Sequence, residues 1–217
     1  MATRKRNATT TAAPMTARRR EVLDTAARLF HERGYQGTSM DEIADAVGLT
    51  KGSLYHHFAS KTDILAAIYE EAVDFVVAHT TKHGDDVPPD EIVRSLVHDI
   101  LVLIANHRFH VTVYYQEMRW VREWLPKRDA ARIEAKGRRY LEYVEHVVER
   151  GIEEGSFQPV DPRVAAYALI GMASWAYQWY DPSGRVGLDD VADLFAGIYI
   201  GGIATPMSRT TLTTEGV

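Results

Sequence analysis

The sequence contains no cysteine among its 217 residues. Disulfide bonds, thiolate metal sites and cysteine nucleophiles are therefore excluded. It also lacks a run of about 18 consecutive apolar residues, the length that a membrane-spanning helix needs. The longest candidate, Val97–Ala105, contains His98 and Asp99. The N-terminal segment is basic and then rich in Thr and Ala, without the apolar centre of a signal peptide. We expect a cytoplasmic protein with no membrane contact.

Patterns for several kinds of catalytic or metal site are also missing. No segment alternates like a β-strand, so a phosphate-binding glycine loop after a strand is excluded. His79 and His83 are four residues apart and His107 and His110 three apart, but neither pair has an evident third ligand. No two carboxylates form an obvious acid–base pair. We predict that the protein is not an enzyme and holds no metal or cofactor.

Apolar residues recur with helical spacing along almost the whole chain, which predicts an all-α fold. Glycines and prolines mark the ends of the segments. The expected helices cover residues 18–33, 39–47, 51–58, 61–80, 89–106, 108–123, 128–154, 161–180 and 188–204. We divide the chain into a disordered basic tail (1–17), a head (18–64), a body (65–205) and a flexible tail (206–217).

The net charge of −5 is unevenly distributed. Residues 1–62 contain ten Lys or Arg and six Asp or Glu, a charge of +4, which leaves −9 for the rest of the chain. A basic head on an acidic body favours a head that contacts a polyanion. Such an asymmetry also arises by chance.

Residues 34–61 have the pattern of a helix-turn-helix that can enter the DNA major groove. Ser39 and Glu42 form a capping box, Gly48 ends that helix, and Leu54 and Phe58 face inward on the next one. Short polar side chains at the start of the second helix suit contact with base edges, and hydroxyls and cations nearby suit phosphates. The candidate DNA-contacting residues are Thr38, Ser39, Thr50, Lys51, Gly52, Ser53, Tyr55, His56 and Lys61. The alternative is that they are caps and surface polar residues of a three-helix unit.

Residues 18–65 resemble the DNA-binding head of TetR-family transcriptional regulators. The matching residues are Phe30, Gly34-Tyr35, Thr38, Ile43-Ala44, Gly48, Gly52-Ser53-Leu54-Tyr55, His57-Phe58 and Lys61. The resemblance implies nine or ten helices and a homodimer that represses genes from a palindromic operator. It also implies a C-terminal body that binds a small ligand and thereby lowers the affinity for the operator.

The resemblance further implies that the two apolar helices within 161–204 form the dimer interface. Small residues among them permit close approach of helix backbones. The candidate interface residues are Tyr167, Gly171, Ser174, Leu194, Ile198 and Gly201. The alternative is that each of them belongs to the core of the body.

The segment from Trp175 to Arg185 resembles the C-terminal part of TetR-type repressors of fatty-acid, aromatic-acid or steroid catabolism, several of which sense acyl-CoA thioesters. Such a ligand needs an apolar slot for its acyl group and cations for its phosphates. The candidate wall residues are Phe109, Tyr115, Met118, Tyr143 and Trp175, and the candidate phosphate partners are Arg119, Arg138 and Arg139. The alternative is that the arginines pair with nearby glutamates and the aromatic residues are core.

Three other functions remain open at this point. A lipophilic drug-like ligand would suit a repressor of an efflux or biosynthetic gene. A constitutive DNA-architectural protein would bind with little sequence preference and ignore metabolites. An all-helical enzyme would use the acidic body.

Overall fold

The computed structural model describes residues 16–80, 83–84 and 86–205. Those residues contain no β-strand and form ten α-helices, which confirms the predicted all-α fold. The helices are α1 (Ala17–Arg33), α2 (Met40–Ala46), α3 (Lys51–His57), α4 (Lys61–Thr80), α5 (Pro89–Asn106), α6 (Arg108–Glu117), α7 (Val121–Trp124), α8 (Lys127–Glu153), α9 (Pro162–Ser174) and α10 (Leu188–Ile203). The two predicted tails lie outside the described residues, except that Thr16 and Ala17 belong to the start of α1.

Local sequence signals place the helix ends of the head. Thr16 caps α1, and Gly34 ends it with φ 76°, a backbone conformation that favours glycine. The capping box of Ser39 and Glu42 is present at the start of α2. The turn after α2 passes through Gly48 at φ 65°, and this short turn sets α3 across α2 as a helix-turn-helix.

Two predicted continuous helices are interrupted. The segment 108–123 consists of α6, a 3-10 turn (Met118–Trp120) and α7, and the segment 161–180 consists of α9 and a 3-10 turn (Trp175–Gln178). A 3-10 turn has about 3.0 residues per turn instead of 3.6, so it rotates the side chains that follow. Val121, which follows the first turn, and Ala176, which lies within the second, are both buried. The prediction of unbroken helices is therefore wrong at both places.

The apolar core is divided into two clusters that do not coincide with head and body. One lies in the body among α5, α8, α9 and α10. The other contains the inward faces of α1 to α4 and also Val113, Val121, Leu125 and Ile133 from later helices. The predicted boundary after residue 64 thus falls inside one apolar cluster, which the head shares with helices of the body.

Two further observations complete the fold. Phe157 and Ala204 form an isolated antiparallel bridge that joins the end of α8 to the end of α10. Within the part of the chain that the structure describes, no helix is both long and apolar enough to cross a bilayer.

Candidate nucleic-acid interface and ligand cavity

The helix α3 buries one face and exposes the other. Leu54 and Phe58 are buried in the head, and Tyr55 and His56 lie on the exposed side together with the start of the helix. Thr50 caps α3, since its hydroxyl accepts a hydrogen bond from the Ser53 amide at 3.2 Å. The exposed residues of α3 are those predicted to contact DNA.

Gly52 lies in the first turn of α3 and faces open space. A Cβ atom built at this position has no heavy atom within 4 Å. Packing inside the protein therefore does not require a glycine here, although glycine costs about 1 kcal/mol relative to alanine inside a helix.

Lys51 is exposed and paired with an acidic neighbour on α2. Its Nζ lies 2.9 Å from Oδ1 and 3.0 Å from Oδ2 of Asp41. The hydrogen bond to this carboxylate raises the pKa of Lys51, so the side chain is fully charged at neutral pH. A DNA phosphate or base edge would have to compete with Asp41 for this cation.

Ser39 lies exposed at the start of α2, where free backbone amides favour an anion. Its hydroxyl accepts from the Glu42 amide at 3.2 Å and donates to the Glu42 carboxylate at 2.9 Å. The Ser39 backbone amide also donates to the Glu42 carboxylate at 2.8 Å, and this bond, followed by that from the Ser39 hydroxyl and a smaller contribution from Arg33, lowers the pKa of Glu42. A phosphate contact at Ser39 therefore has to tolerate an adjacent carboxylate.

Thr38 is buried, contrary to its prediction as a phosphate contact. Its hydroxyl lies 3.0 Å from the carbonyl oxygen of Gly34 and 3.3 Å from that of Leu29. The side chain thus satisfies carbonyl groups at the end of α1. Since the hydroxyl is enclosed within the head, it cannot reach DNA in this conformation.

Lys61 is also occupied within the head. Its Nζ donates to the carbonyl oxygens of Tyr35 and Thr38, each at 2.7 Å, and it lies 4.4 Å from the centre of the Tyr35 ring. Partial burial lowers the pKa of Lys61. A phosphate contact at Lys61 would therefore have to compete with these carbonyl groups of the turn between α1 and α2.

A cavity of about 270 Å³ lies in the body. Its walls come from five helices, α4, α5, α6, α8 and α9, and are largely apolar. The polar groups in the walls are hydroxyls, and no Lys, Arg, Asp or Glu is among the lining residues. The lining residues are Ala72, Val73, Val76, Ile100, Leu103, Ile104, Val111, Tyr114, Tyr115, Gly137, Tyr140, Leu141, Tyr167, Ile170 and Ser174.

A pair of hydroxyl groups joins two walls of the cavity. Tyr115 of α6 donates to Ser174 of α9 at 2.6 Å, and the Tyr115 ring stacks on Tyr177 with centres 5.0 Å apart. Burial raises the pKa of the nearby Tyr114 and Tyr140 phenols. Both stay neutral at physiological pH, so the cavity offers neutral hydrogen-bonding groups to a ligand.

Of the residues predicted to bind a ligand, only Tyr115 lines this cavity. Phe109 lies instead beside His31 of the head at 5.4 Å between ring centres, and Met118 packs on the head cluster. Tyr143 packs on the core of the body, and Trp175 is exposed against Tyr177.

The predicted phosphate partners also lie outside the cavity. Arg119 lies over the Trp120 ring at 5.1 Å, and Arg138 is exposed 4.0 Å from Glu134. Arg139 is exposed on the same helix. The packing of the helices against each other decides where these arginine side chains lie, and the spacing of residues along the chain does not reveal that packing.

The side of α8 that faces the cavity was not predicted from the sequence. Gly137, Tyr140 and Leu141 are three and four residues apart and line the cavity together. A glycine among large apolar residues on the buried side of a long helix indicates a space that no side chain fills. Tyr114, adjacent to the predicted Tyr115, is a second wall residue that was not predicted.

The predicted dimer residues form an exposed apolar face, with one exception. Leu194, Ile198 and Tyr167 have relative exposures of 60%, 57% and 55%. Gly171 and Gly201 face open space on the same two helices, α9 and α10. Ser174 is only 6% exposed and lines the cavity, so the structure contradicts its placement on the interface. Tyr167 borders both the face and the cavity.

A buried polar cluster joins the head to the body. The Nε2 atom of His110 on α6 lies 3.5 Å from the carboxylates of Asp24 on α1 and Glu71 on α4. Arg20 of α1 forms an ion pair with Glu71. Burial, together with the nearby His107 and Arg20, lowers the pKa of His110 to about 4. The imidazole is thus neutral in the folded protein at pH 7.

His107 and His110 are one of the two histidine pairs considered as metal ligands. Among the described residues, no group of three or more His, Cys, Asp or Glu is placed to hold a metal ion. The side chain of His79, from the other pair, lies outside the described set, whereas His83 lies 3.0 Å from the Ser95 hydroxyl.

Comparison with known proteins gives one family for both parts of the chain. Residues 22–68 match the family described as bacterial regulatory proteins, tetR family. Residues 86–203 match the family described as tetracyclin repressor-like, C-terminal domain. The second match covers more than half of the chain.

Relatives align over nearly the whole length. The HTH-type transcriptional repressor KstR2 of Mycobacterium tuberculosis is 30% identical over 194 residues, 88% of this chain and 96% of that protein. KstR2 of Rhodococcus jostii is 31% identical over 191 residues, 87% of this chain and 92% of that protein.

Solved structures show the same fold. The ketosteroid transcriptional regulator KstR2 of Mycobacterium tuberculosis superposes with a TM-score of 0.81 at 29% identity, covering 89% of this chain and 98% of that chain. AibR in complex with isovaleryl coenzyme A and operator DNA superposes with a TM-score of 0.71 at 33% identity, covering 83% of this chain and 97% of that chain. With a helix-turn-helix head, a cavity-bearing helical body and these matches, the chain belongs to the TetR family of DNA-binding transcriptional regulators.

Proposed function

We propose that this regulator is a repressor that binds a palindromic operator as a homodimer. An acyl-CoA thioester of lipid or steroid catabolism enters the body and releases the DNA. The similar KstR2 proteins are named as repressors, and the AibR structure contains isovaleryl coenzyme A with operator DNA. The cavity in the body is the single observation that carries the ligand response, because it offers an apolar space for an acyl group.

The proposed head, residues 18–64, reads DNA through α3. Ser39, Thr50, Lys51, Gly52 and Ser53 are the proposed contacts at the helix starts, and Tyr55 and His56 are those on the exposed side of α3. Their exposure supports this assignment. Thr38 and Lys61 are left out because both side chains are occupied within the head.

The proposed body, residues 65–205, forms the dimer through the exposed apolar face of α9 and α10. An exposed apolar patch of this kind is typical of an interaction surface. Two heads must lie about 34–36 Å apart to contact adjacent half-sites of DNA. The dimer contact sets this distance, and a ligand that alters it weakens operator binding.

The helix α4 supports a direct route from the cavity to the head. Ala72, Val73 and Val76 line the cavity, whereas Ile64 and Leu65 at the other end of α4 belong to the head cluster. A ligand wedged against α4 would therefore shift the head. To control binding, the ligand must differ in affinity between the two arrangements by a few kcal/mol.

Two ion pairs join α4 to α8 beside the cavity. Glu70 pairs with Arg132, and the Asp74 carboxylate lies 2.5 Å from Nζ of Lys136. Both cations precede the cavity-lining Gly137 in α8, and Lys136 is its neighbour in the sequence. A ligand that separates α4 from α8 has to strain these contacts, which couples occupation of the cavity to the position of α4.

The function is tested by fluorescence-anisotropy titration of the protein on the DNA upstream of its own gene. The titration is repeated with a panel of acyl-CoA thioesters, with free coenzyme A and the free acids as controls. We expect tight binding that one class of thioester releases. Tight binding that no thioester changes would refute the proposed ligand class and leave the DNA-binding assignment standing.

No cation is among the described residues that line the cavity, and this favours a second candidate function. The body would then bind a neutral lipophilic compound and control an efflux or biosynthetic gene. Titration of the wild-type protein with an acyl-CoA thioester and with an uncharged ester of the same acyl group separates the two candidates. A thioester sensor should bind the thioester more tightly, because its phosphates gain cationic partners, whereas a sensor of neutral compounds should prefer the uncharged ester.

A further inference from the structure

The buried side of α8 is an apolar stripe with helical spacing. Its members contact the other helices of the protein along most of the 27-residue helix. They are Ala130, Ile133, Gly137, Tyr140, Val144, Val147, Val148 and Gly151, all of them buried except Gly137, which is partly exposed. Two of these positions are glycines, at places where the pattern calls for a large apolar side chain.

The two glycines differ in what occupies the space beside them. At Gly151 a Cβ atom would lie 2.1 Å from Cδ2 of Phe157, so the Phe157 ring fills that place. At Gly137 the nearest heavy atom to a built Cβ is the Tyr114 hydroxyl oxygen at 4.0 Å. No side chain replaces the missing volume at Gly137, and the space belongs to the cavity.

Neither backbone nor packing requires a glycine at 137. Its φ is not positive, unlike those of Gly34, Gly48 and Gly155. A contact at 4.0 Å is an ordinary van der Waals distance, so an alanine fits without a clash. Alanine is also the better helix former. The remaining physical reason for a glycine at position 137 is that it leaves room for a ligand.

We propose that Gly137 is a specificity-determining residue of the cavity. The space left by its missing side chain receives the bulky apolar part of the effector, against the Tyr114 side of the wall. A side chain at 137 would shorten this end of the cavity and exclude branched or cyclic groups before short ones. This proposal deepens the proposed function and rests on the body being the ligand-binding part.

The test uses a series of increasing volume, Gly137→Ala, Gly137→Val and Gly137→Leu, in the full-length protein. Ala131→Leu is the matched control, because it adds apolar volume on the exposed side of the same helix. Binding of the neutral fluorescent probe 1-aminoanthracene measures the cavity without reference to the natural effector. We expect each step to weaken probe binding, with a loss of about tenfold or more for leucine. The control should bind as the wild type does.

Operator release is measured next with acetyl-, isovaleryl-, cyclohexanecarbonyl- and octanoyl-CoA. We expect the largest acyl group that still releases the operator to become smaller from Gly137→Ala to Gly137→Leu. Operator affinity without ligand should stay within about twofold of that of the wild type. If no thioester releases the wild-type protein, the proposed ligand class is refuted. The probe titration still decides the role of Gly137 in that case.

Thermal unfolding separates this role from a structural one. A glycine kept for ligand space predicts that Gly137→Ala raises the Tm of the ligand-free protein by about 2–4 °C, because the helix gains a better residue without a clash. A glycine required by packing predicts a lower Tm. Unchanged probe binding in Gly137→Leu, or a loss of stability in Gly137→Ala, would overturn the proposal.

Discussion

At the scale of single residues, two lysines of the head have opposite surroundings. Lys51 projects from α3 and pairs with the Asp41 carboxylate, whereas the Lys61 ammonium donates to two carbonyl oxygens at 2.7 Å. The partners of a charge decide whether it serves the fold or remains available to DNA. The two side chains therefore provide a matched pair for experiment.

We expect Lys61→Met to lower the free energy of unfolding by about 1–3 kcal/mol, since it keeps the aliphatic stem and leaves two carbonyl groups without their donor. Lys51→Ala should leave stability unchanged and weaken operator binding by about 1–3 kcal/mol, with a smaller salt dependence. Thermal unfolding and operator titrations at several salt concentrations measure both. A Lys61→Met variant that keeps its Tm but loses operator affinity would restore Lys61 as a phosphate contact.

The Asp41 carboxylate offers a second prediction at this scale. It pairs with Lys51 in the free protein and brings a negative charge to the surface that we propose to face DNA. Asp41→Asn should therefore tighten binding to operator and to unrelated DNA alike, since the gain is electrostatic. Glu32→Gln, on the exposed side of α1, serves as the control for loss of one negative charge. Equal effects of both variants would show that only net charge matters.

At the scale of elements, α6 joins the cavity to the head. One side of this helix contributes Val111, Tyr114 and Tyr115 to the cavity wall. Another side carries Val113 into the head cluster and His110 into the polar cluster with Asp24. We therefore expect a displacement of α6 at the cavity to change its contacts with the head.

The buried His110 predicts a pH dependence of stability. Its pKa of about 4 in the folded protein is below the ordinary value of 6.5, so the unfolded chain binds a proton that the folded chain rejects. Stability should therefore fall as pH decreases from 6.5 towards 4, by up to about 3 kcal/mol. His107, whose pKa burial also lowers, acts in the same direction.

Burial raises the pKa of Asp24, which stabilises the folded protein towards lower pH and partly offsets this loss. The slope is therefore best measured by urea unfolding between pH 5 and pH 6.5, where the histidine effect dominates. We expect His110→Gln to flatten the slope, and His146→Gln, at an exposed site on α8, to retain it. Identical slopes in the two variants would contradict the assignment to His110.

At the scale of the whole molecule, the exposed face of α9 and α10 is the feature that a monomer does not explain. More than half of the surface is exposed at Val164, Leu194 and Ile198. Exposed glycines lie on the same two helices. Burial of such apolar area drives association at about 25 cal/mol per Å² before the cost of lost freedom is subtracted. The arrangement supports a second copy of the chain as the partner.

We expect Ile198→Glu to give a monomer in size-exclusion chromatography with light scattering. Operator affinity should fall about tenfold or more, since one head then binds one half-site. Val186→Glu, at an exposed position in the segment before α10, is the matched control and should remain dimeric. A dimeric Ile198→Glu protein with unchanged affinity would place the interface elsewhere.

The sequence by itself determined the helical fold, most helix ends and the helix-turn-helix. These features depend on groups within about four residues of each other, such as Ser39 with Glu42 or Asp161 with the Val164 amide. The positive φ of Gly34 and Gly48 is likewise a local matter.

Only the tertiary structure decided which side chains face outward and where the empty space lies. Thr38 and Lys61 match the family motif, yet Thr38 is buried and the Lys61 ammonium is held by carbonyl groups of the head. The cavity depends on pairs such as Tyr115 and Ser174, 59 residues apart, and on a position in α8 that no side chain fills. Close packing is a property of neighbours in space, and their distance along the chain leaves no pattern in a single sequence.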